Sequence, residues 1–316
     1  MEYNQRGHHL YQMLAMNAET GKLRTVVEER ANTFVNYGRL WRQFIKDGKQ
    51  LLWMSERDNW NHLYLYDVQK SKVIRQITKG EWFVRGIQRV DEEKGEIYFS
   101  ASGVNKNEDP YLVHYYKIGI DGKNMVALTP EEGNHSAQYT YDYRYLLDTY
   151  SKVDAAPVTV LRDAQTGKLV KTLETADIAT LKKHGWVAPE VFVAKGRDGK
   201  TDMWGIIQRP TNFDPNKKYP VIEYIYSGPG DAYTPKSFMP YNWYITSLAE
   251  LGFIVVQLDA MGTSYRGKKF EEVCYKNLKD AGFPDRELWI KAAAKKYPYM
   301  DADNVAIYGC LAGGQG

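Results

Sequence analysis

The chain predicts a partial β-propeller of about four blades followed by a mainly parallel α/β domain. Two patterns carry this. Over about the first 180 residues a strand–turn–strand unit recurs at a near-constant interval, and beyond that point strands alternate with helical segments. Composition agrees: 25 tyrosines and 8 tryptophans suit sheet better than helix bundles.

Each repeat is a strand containing Tyr or Val, a turn marked by Gly or Lys, and a second strand ending near Leu or Ile. The copies run Leu10-Tyr11 to Thr20-Gly21-Lys22, Leu63-Tyr64-Leu65-Tyr66 to Ser71-Lys72, His114-Tyr115-Tyr116 to Asp121-Gly122-Lys123, and Val158-Thr159-Val160 to Thr166-Gly167-Lys168. The turn lysines are 50, 51 and 45 residues apart. An interval of that size with several strands per unit is the signature of propeller blades; a plain β-sandwich is the competing architecture. About four blades leave the ring open unless others precede them.

After Ala176-Asp177-Ile178-Ala179-Thr180-Leu181 the texture changes. Val191–Ala194 and Met203–Ile207 flank Gly196-Arg197-Asp198-Gly199-Lys200, a hairpin signal. Val221-Ile222-Glu223-Tyr224-Ile225-Tyr226 and Phe253-Ile254-Val255-Val256-Gln257-Leu258 read as buried strands. Trp243 to Leu251 reads as a helix stopped by Gly252. Asp285 to Lys296 reads as another, with an acidic start, a basic end and Pro298 just beyond. A strand at Val305-Ala306-Ile307-Tyr308 follows.

A net charge of +3 without a long basic run argues against a dedicated nucleic-acid binder. Cys274 and Cys310 cannot build a disulfide framework and lack metal-ligand spacing. No metal or other cofactor is expected. No stretch approaches the roughly 20 apolar residues of a membrane span. The polar start, Met1-Glu2-Tyr3-Asn4-Gln5-Arg6-Gly7-His8-His9, is no signal peptide and reads like the middle of a strand–turn unit.

The most informative residues come last. Gly309-Cys310-Leu311-Ala312-Gly313 follows the Val305 strand and has the Gly-x-nucleophile-x-Gly spacing of a nucleophile elbow, in which a strand turns sharply and lifts its middle residue above the sheet. Gly309 and Gly313 fill the two glycine positions, and the middle position is Leu311. Leucine has no oxygen or sulfur with which to attack a carbonyl. The motif therefore points to a hydrolase and, in this copy, away from catalysis.

Blades, an α/β-hydrolase-like segment and an elbow, in that order, resemble the prolyl oligopeptidase family, and most of all its bacterial dipeptidyl peptidase IV-like members. The matching stretches are Ser55-Glu56-Arg57-Asp58-Asn59-Trp60-Asn61-His62-Leu63-Tyr64, Leu128-Thr129-Pro130-Glu131, Pro210-Thr211-Asn212-Phe213-Asp214-Pro215, Tyr226-Ser227-Gly228-Pro229 and Leu258-Asp259-Ala260-Met261-Gly262-Thr263. The resemblance spans essentially the whole chain but only the middle of the family's length. Early blades and the last half of the hydrolase domain are expected to be missing. It implies a partial propeller over 1–184 and the N-terminal half of an α/β-hydrolase domain over 185–316.

The resemblance also implies roles. Tyr226 stands where the family's tyrosine donates its hydroxyl to the tetrahedral oxyanion, a contribution of a few kcal/mol in a dry site. Ala312 supplies the backbone N–H after the nucleophile. Leu311 itself is expected to be an ordinary buried leucine at a strand end. Cys310, one residue off the tip, is expected to turn back into the packing, with no catalytic part. All six histidines (His8, His9, His62, His114, His135 and His184) precede Val187, whereas the triad order of this architecture puts acid and base after the nucleophile. Dipeptidyl peptidases of this kind hold the substrate's amine with paired glutamates from an early blade. Glu28-Glu29, Glu131-Glu132 and the Asp91-Glu92-Glu93 run are expected instead to be solvated turn charges.

The leading expectation is thus a serine-type exopeptidase that cleaves after Pro or Ala near peptide N-termini, inactive in this form. The alternative is a non-catalytic peptide- or protein-binding propeller. A peptide substrate is implied for the intact family, with a homodimer left open for the complete protein and export to the periplasm implied by bacterial relatives. A strand at Val305 with no neighbour beyond it is expected to be an exposed apolar edge.

Overall fold

The four turn-marked repeats fold as four antiparallel sheets in the computed structural model, which describes residues 1–314. The first sheet holds β1 (Glu2–Asn4), β2 (Leu10–Met16) and β3 (Leu23–Arg30). The second holds β4 (Arg42–Ile45), β5 (Gln50–Ser55), β6 (His62–Asp67) and β7 (Lys72–Gln76). The third is β8 (Phe83–Asp91), β9 (Glu96–Ser102), β10 (Val113–Gly119) and β11 (Val126–Ala127). The fourth is β12 (Asn134–Tyr139), β13 (Tyr145–Lys152), β14 (Ala155–Asp163) and β15 (Leu169–Thr175). In each, neighbours in sequence are neighbours in the sheet, the meander of a propeller blade.

The turn lysines share one place: the hairpin joining the last two strands of each sheet. The residue before each lysine takes a left-handed backbone, at φ +67° for Gly21, +53° for Ser71, +81° for Gly122 and +71° for Gly167. At two of these turns space is short as well. A Cβ on Gly122 would lie 3.1 Å from the Ile77 oxygen, and one on Gly167 2.6 Å from the Ala127 oxygen. Those turns abut the end of the preceding sheet.

Backbone packing divides the chain into two compact units. One comprises Met1–Pro130 with the short segments Gln165–Gly167 and Arg266–Lys269. Its core forms where sheets meet face to face. Met13, Val27, Leu51, Trp53 and Tyr64 join the first and second sheets, and Leu52, Leu63, Leu65, Ile97, Phe99 and Tyr116 join the second and third. With both faces covered, β6 is buried at every residue but its last, so it reads as a continuous apolar run rather than an alternation.

The other unit comprises Glu131–Ala164, Lys168–Tyr265 and the residues from Phe270 on. Besides the fourth sheet it holds a five-stranded sheet: β16 (Glu190–Lys195), β17 (Asp202–Gln208), β18 (Tyr219–Ile225), β19 (Ile254–Asp259) and β20 (Met300–Gly309), ordered β16-β17-β19-β18-β20. The first two pairings are antiparallel; β19–β18 and β18–β20 are parallel. Helix α1 (Ala179–Lys183) precedes this sheet. On one face, α2 (Trp243–Glu250) packs Ile245 and Ala249 on Ile206 and Val255, with Val153 of the fourth sheet beside them. A third short helix, α3 (Lys268–Glu271), follows β19. On the opposite face α4 (Phe283–Lys296) packs Trp289, Ile290 and Ala293 on Met203, Ile207, Val256 and Leu258. Gly205 makes room for it: a Cβ there would lie 2.7 Å from the Trp289 ring.

Two details depart from expectation or sharpen it. Helix α4 begins at Phe283 rather than Asp285, because Pro284 suits a first turn, where its missing N–H costs nothing. Among the described residues, β20 pairs only with β18, and Val305, Ile307 and Tyr308 are 41, 50 and 46% exposed. No helix among the described residues is long and apolar enough to cross a membrane.

Candidate active site

Parallel pairing sets the site. Ile225, the last residue of β18, lies opposite Gly309, the last of β20, so Tyr226 and Cys310-Leu311 leave the sheet at the same carboxyl-terminal edge. Open α/β sheets place their ligand crevices at that edge.

The turn after β20 is pressed onto the end of β18. A Cβ on either Gly309 or Gly313 would overlap the Ile225 carbonyl oxygen, so the two glycines of the motif are required by contact. The Gly313 N–H donates to the Cys310 carbonyl at 2.9 Å, closing a short 3₁₀ turn over Leu311–Gly314. Leu311 takes φ +50°, a backbone that L-residues avoid. Its side chain is 76% exposed, which corrects the expectation of a buried leucine: the left-handed turn after β20 directs it away from the sheet. Cys310 is exposed too, again against expectation, because among the described residues no strand lies beside β20 on its outer side. Ala312 is half-buried, and the buried Ser227 hydroxyl approaches its carbonyl at 3.5 Å.

Tyr226 is half-buried. Its ring packs on Tyr233, centroids 4.4 Å apart and tilted by 44°. Tyr233 is held through its backbone: its N–H and that of Thr234 donate to the buried Asp259 carboxylate at 2.7 and 3.1 Å, and Gln257 Nε2 donates to its carbonyl at 3.0 Å. Burial first, and Tyr226 next, push the Tyr233 phenol up to about 12. Beneath them lies an ion pair between Arg286 and Glu223, both buried. Sequence reasoning missed Tyr233, Asp259 and this pair. A signal existed for one of them: Glu223 interrupts an apolar strand, and a buried carboxylate needs a cation.

The acidic clusters also depart from expectation. Glu28 is solvated and paired with Arg30. Glu29, at the end of β3, is only 7% exposed. It accepts from Trp53 Nε1 at 2.7 Å and pairs with Arg57. Glu131 pairs with the buried Arg162, whose Nε donates to Asp148 at 2.9 Å; Asp148 in turn faces His135 Nδ1 at 2.8 Å. Asp91 is buried and pairs with Arg89, whereas Glu92 and Glu132 are exposed. Glu29 and Glu131 are drawn inward by Arg57 and Arg162, 28 and 31 residues away, which a local reading of turn residues cannot see, whereas Asp91 pairs with Arg89 on its own strand.

The buried histidines serve their own blades. His62 faces the Thr78 hydroxyl at 3.0 Å and the Gly80 carbonyl at 2.8 Å. His114 faces the Thr129 carbonyl at 2.7 Å and Glu108 at 2.7 Å. No group of three or more His, Cys, Asp or Glu side chains able to hold a metal occurs among the described residues.

Known proteins match along the chain. Residues 1–157 match the family model described as the dipeptidyl peptidase IV N-terminal region, and residues 239–315 match that of the prolyl oligopeptidase family. Dipeptidyl peptidase 4 of Trichophyton rubrum is 31% identical over 270 residues, covering 83% of this chain and 34% of its own. The chain thus spans about a third of the length of the curated relatives it matches. A crystal structure from Bacteroides ovatus, described as a dipeptidyl aminopeptidase IV, superposes on 99% of this chain and 46% of its own, at TM-score 0.83 and 27% identity. Porphyromonas gingivalis dipeptidyl peptidase 4 superposes on 99% of this chain and 43% of its own, at TM-score 0.81 and 25% identity.

Proposed function

Because the chain belongs to the dipeptidyl peptidase IV-like branch of the prolyl oligopeptidase family, we propose that it carries the site of a serine-type exopeptidase whose nucleophile has been replaced. The reaction of such a site is acyl transfer. A hydroxyl attacks the carbonyl after Pro or Ala near a peptide N-terminus, the oxyanion is captured, and water releases the acyl group. In this chain Tyr226 and the Ala312 N–H are the oxyanion donors, and Leu311 stands at the attacking position. Residues 1–184 supply blades, and 185–316 the hydrolase segment.

The observation that supports this reading is Leu311 itself: exposed at the tip, left-handed in backbone, and flanked by two glycines packed on Ile225. The strand and the tight turn of an elbow are present, and the residue at its tip carries no nucleophile. The purified chain is expected to release no p-nitroaniline from Gly-Pro- or Ala-Pro-p-nitroanilide, before or after Cys310→Ala. Turnover that Cys310→Ala abolishes would show that the exposed thiol has taken over the attack, and the reading would fail.

A second reading has one observation in its favour. Leu311 offers an exposed apolar contact where the family has a hydroxyl, which suits holding a peptide rather than cutting it. Calorimetric titration with a peptide beginning Ala-Pro tests it: saturable binding weakened by Leu311→Ser favours a binding role, and the absence of heat removes it.

A further inference from the structure

Arg286 is 1% exposed, yet nothing in the proposed chemistry uses it. Its guanidinium reaches four places. Nε donates to the Ala281 carbonyl at 2.9 Å. Nη1 bonds Glu223 and also the Leu258 carbonyl at 3.2 Å. Nη2 points at the carbonyl of Tyr226 at 3.5 Å. One planar fork therefore ties the end of β18, the end of β19 and the loop before α4 to one another. A lysine ammonium, a single point on a flexible stem, could not hold all of these directions.

We propose that Arg286, anchored by Glu223, is a positioning residue for Tyr226: it fixes the backbone of the tyrosine that the proposed function makes an oxyanion donor. The inference rests on that reading for its purpose but not for its geometry. Tyr226 lies just past the last paired residue of β18, so sheet hydrogen bonding no longer restrains it. Beside the 309–313 turn that packs on Ile225 and on its own Cα, it is held by the Tyr233 ring on one side and the Arg286 fork at its carbonyl. The Glu223 carboxylate, inside the strand, gives the fork a charged anchor that cannot drift.

The test labels tyrosine ζ-carbons with ¹³C and assigns Tyr226 by Tyr226→Phe. Two variants are compared with the parent chain: Arg286→Lys, and the double change Glu223→Gln with Arg286→Met. The double change leaves neither charge stranded in the interior, since removing one partner of a buried pair is far more damaging than removing both. In each variant the Tyr226 resonance is expected to shift by more than its linewidth or to broaden, while Tyr64 and Tyr98 in the blades stay in place. A Tyr226 signal unmoved in the folded double variant overturns the proposal. Should the double variant not fold, Arg286→Lys decides by the same criterion. The outcome is separable from the peptidase reading. An unmoved signal with no turnover sinks the positioning role alone, whereas a moved signal with Cys310-dependent turnover keeps it and sinks the reading of the elbow.

Discussion

Leu311 holds a left-handed backbone, φ +50°, although its side chain carries no chemistry. An L-residue in that region costs roughly 1–2 kcal/mol, and glycine loses about 0.5–1 kcal/mol more chain entropy than alanine. Leu311→Gly is therefore expected to stabilise the chain by about 0.5–1 kcal/mol in urea unfolding. The exposure of the side chain means that little burial is lost. Gly313→Ala should act oppositely, costing about 2–3 kcal/mol, because its Cβ meets the Ile225 carbonyl rather than a flexible side chain. An unchanged midpoint for both would show that the elbow is not under the contact strain described. His62 makes a second prediction at this scale. The Gly80 carbonyl can only accept, so Nε2 carries the proton and Nδ1 accepts from the Thr78 hydroxyl. Burial lowers the His62 pKa from 6.5. The folded chain thus binds this proton more weakly than the unfolded one. Stability is full above about pH 6.5 and falls as the pH drops toward the folded value. Urea midpoints at about pH 7.5 and about pH 5 should differ in that direction, and His62→Gln should reduce the difference.

At the scale of elements, the blade hairpins repeat a backbone before they repeat a residue. Three of the four turns use glycine at the left-handed position and the second uses Ser71, at φ +53°. Ser71→Gly is expected to raise stability by about 0.5–1 kcal/mol, read as an upward shift in melting temperature. Gly122 looks equivalent in sequence but is not, because a Cβ there would crowd the Ile77 carbonyl at 3.1 Å. A lower melting temperature for Ser71→Gly would show that its hydroxyl, which accepts from Arg24 at 2.9 Å, outweighs the strain. The hydrolase elements were legible for a different reason. β18 and β19 are buried strands with apolar runs, and α2 has an Asn242 side chain accepting the Tyr244 N–H at 3.1 Å and a left-handed Gly252 after it. Periodicity and caps are local, so they survive in one dimension. Gly205 was not legible, since only the Trp289 ring crossing from α4 makes it necessary.

At the scale of the whole chain, the small net charge of +3 supplies little repulsion between copies. Among the described residues β20 has no partner on its outer side, where Val305, Ile307 and Tyr308 are partly exposed. Such an edge is a template for pairing with another strand. The chain is expected to self-associate at rising concentration, and Ile307→Lys to reduce it, as seen by light scattering. Equal scattering from parent and variant would move the interaction elsewhere. The sequence alone determined the repeat interval, the turn positions, the strand and helix order and the elbow spacing, because each is a relation between residues near one another in the chain. Only the tertiary structure decided which charges are buried. Glu29, Asp148 and Glu223 take their cations from Arg57, Arg162 and Arg286, between 14 and 63 residues away. It also decided that Leu311 and Cys310 face solvent, since exposure depends on which strands lie alongside, and no local pattern records that.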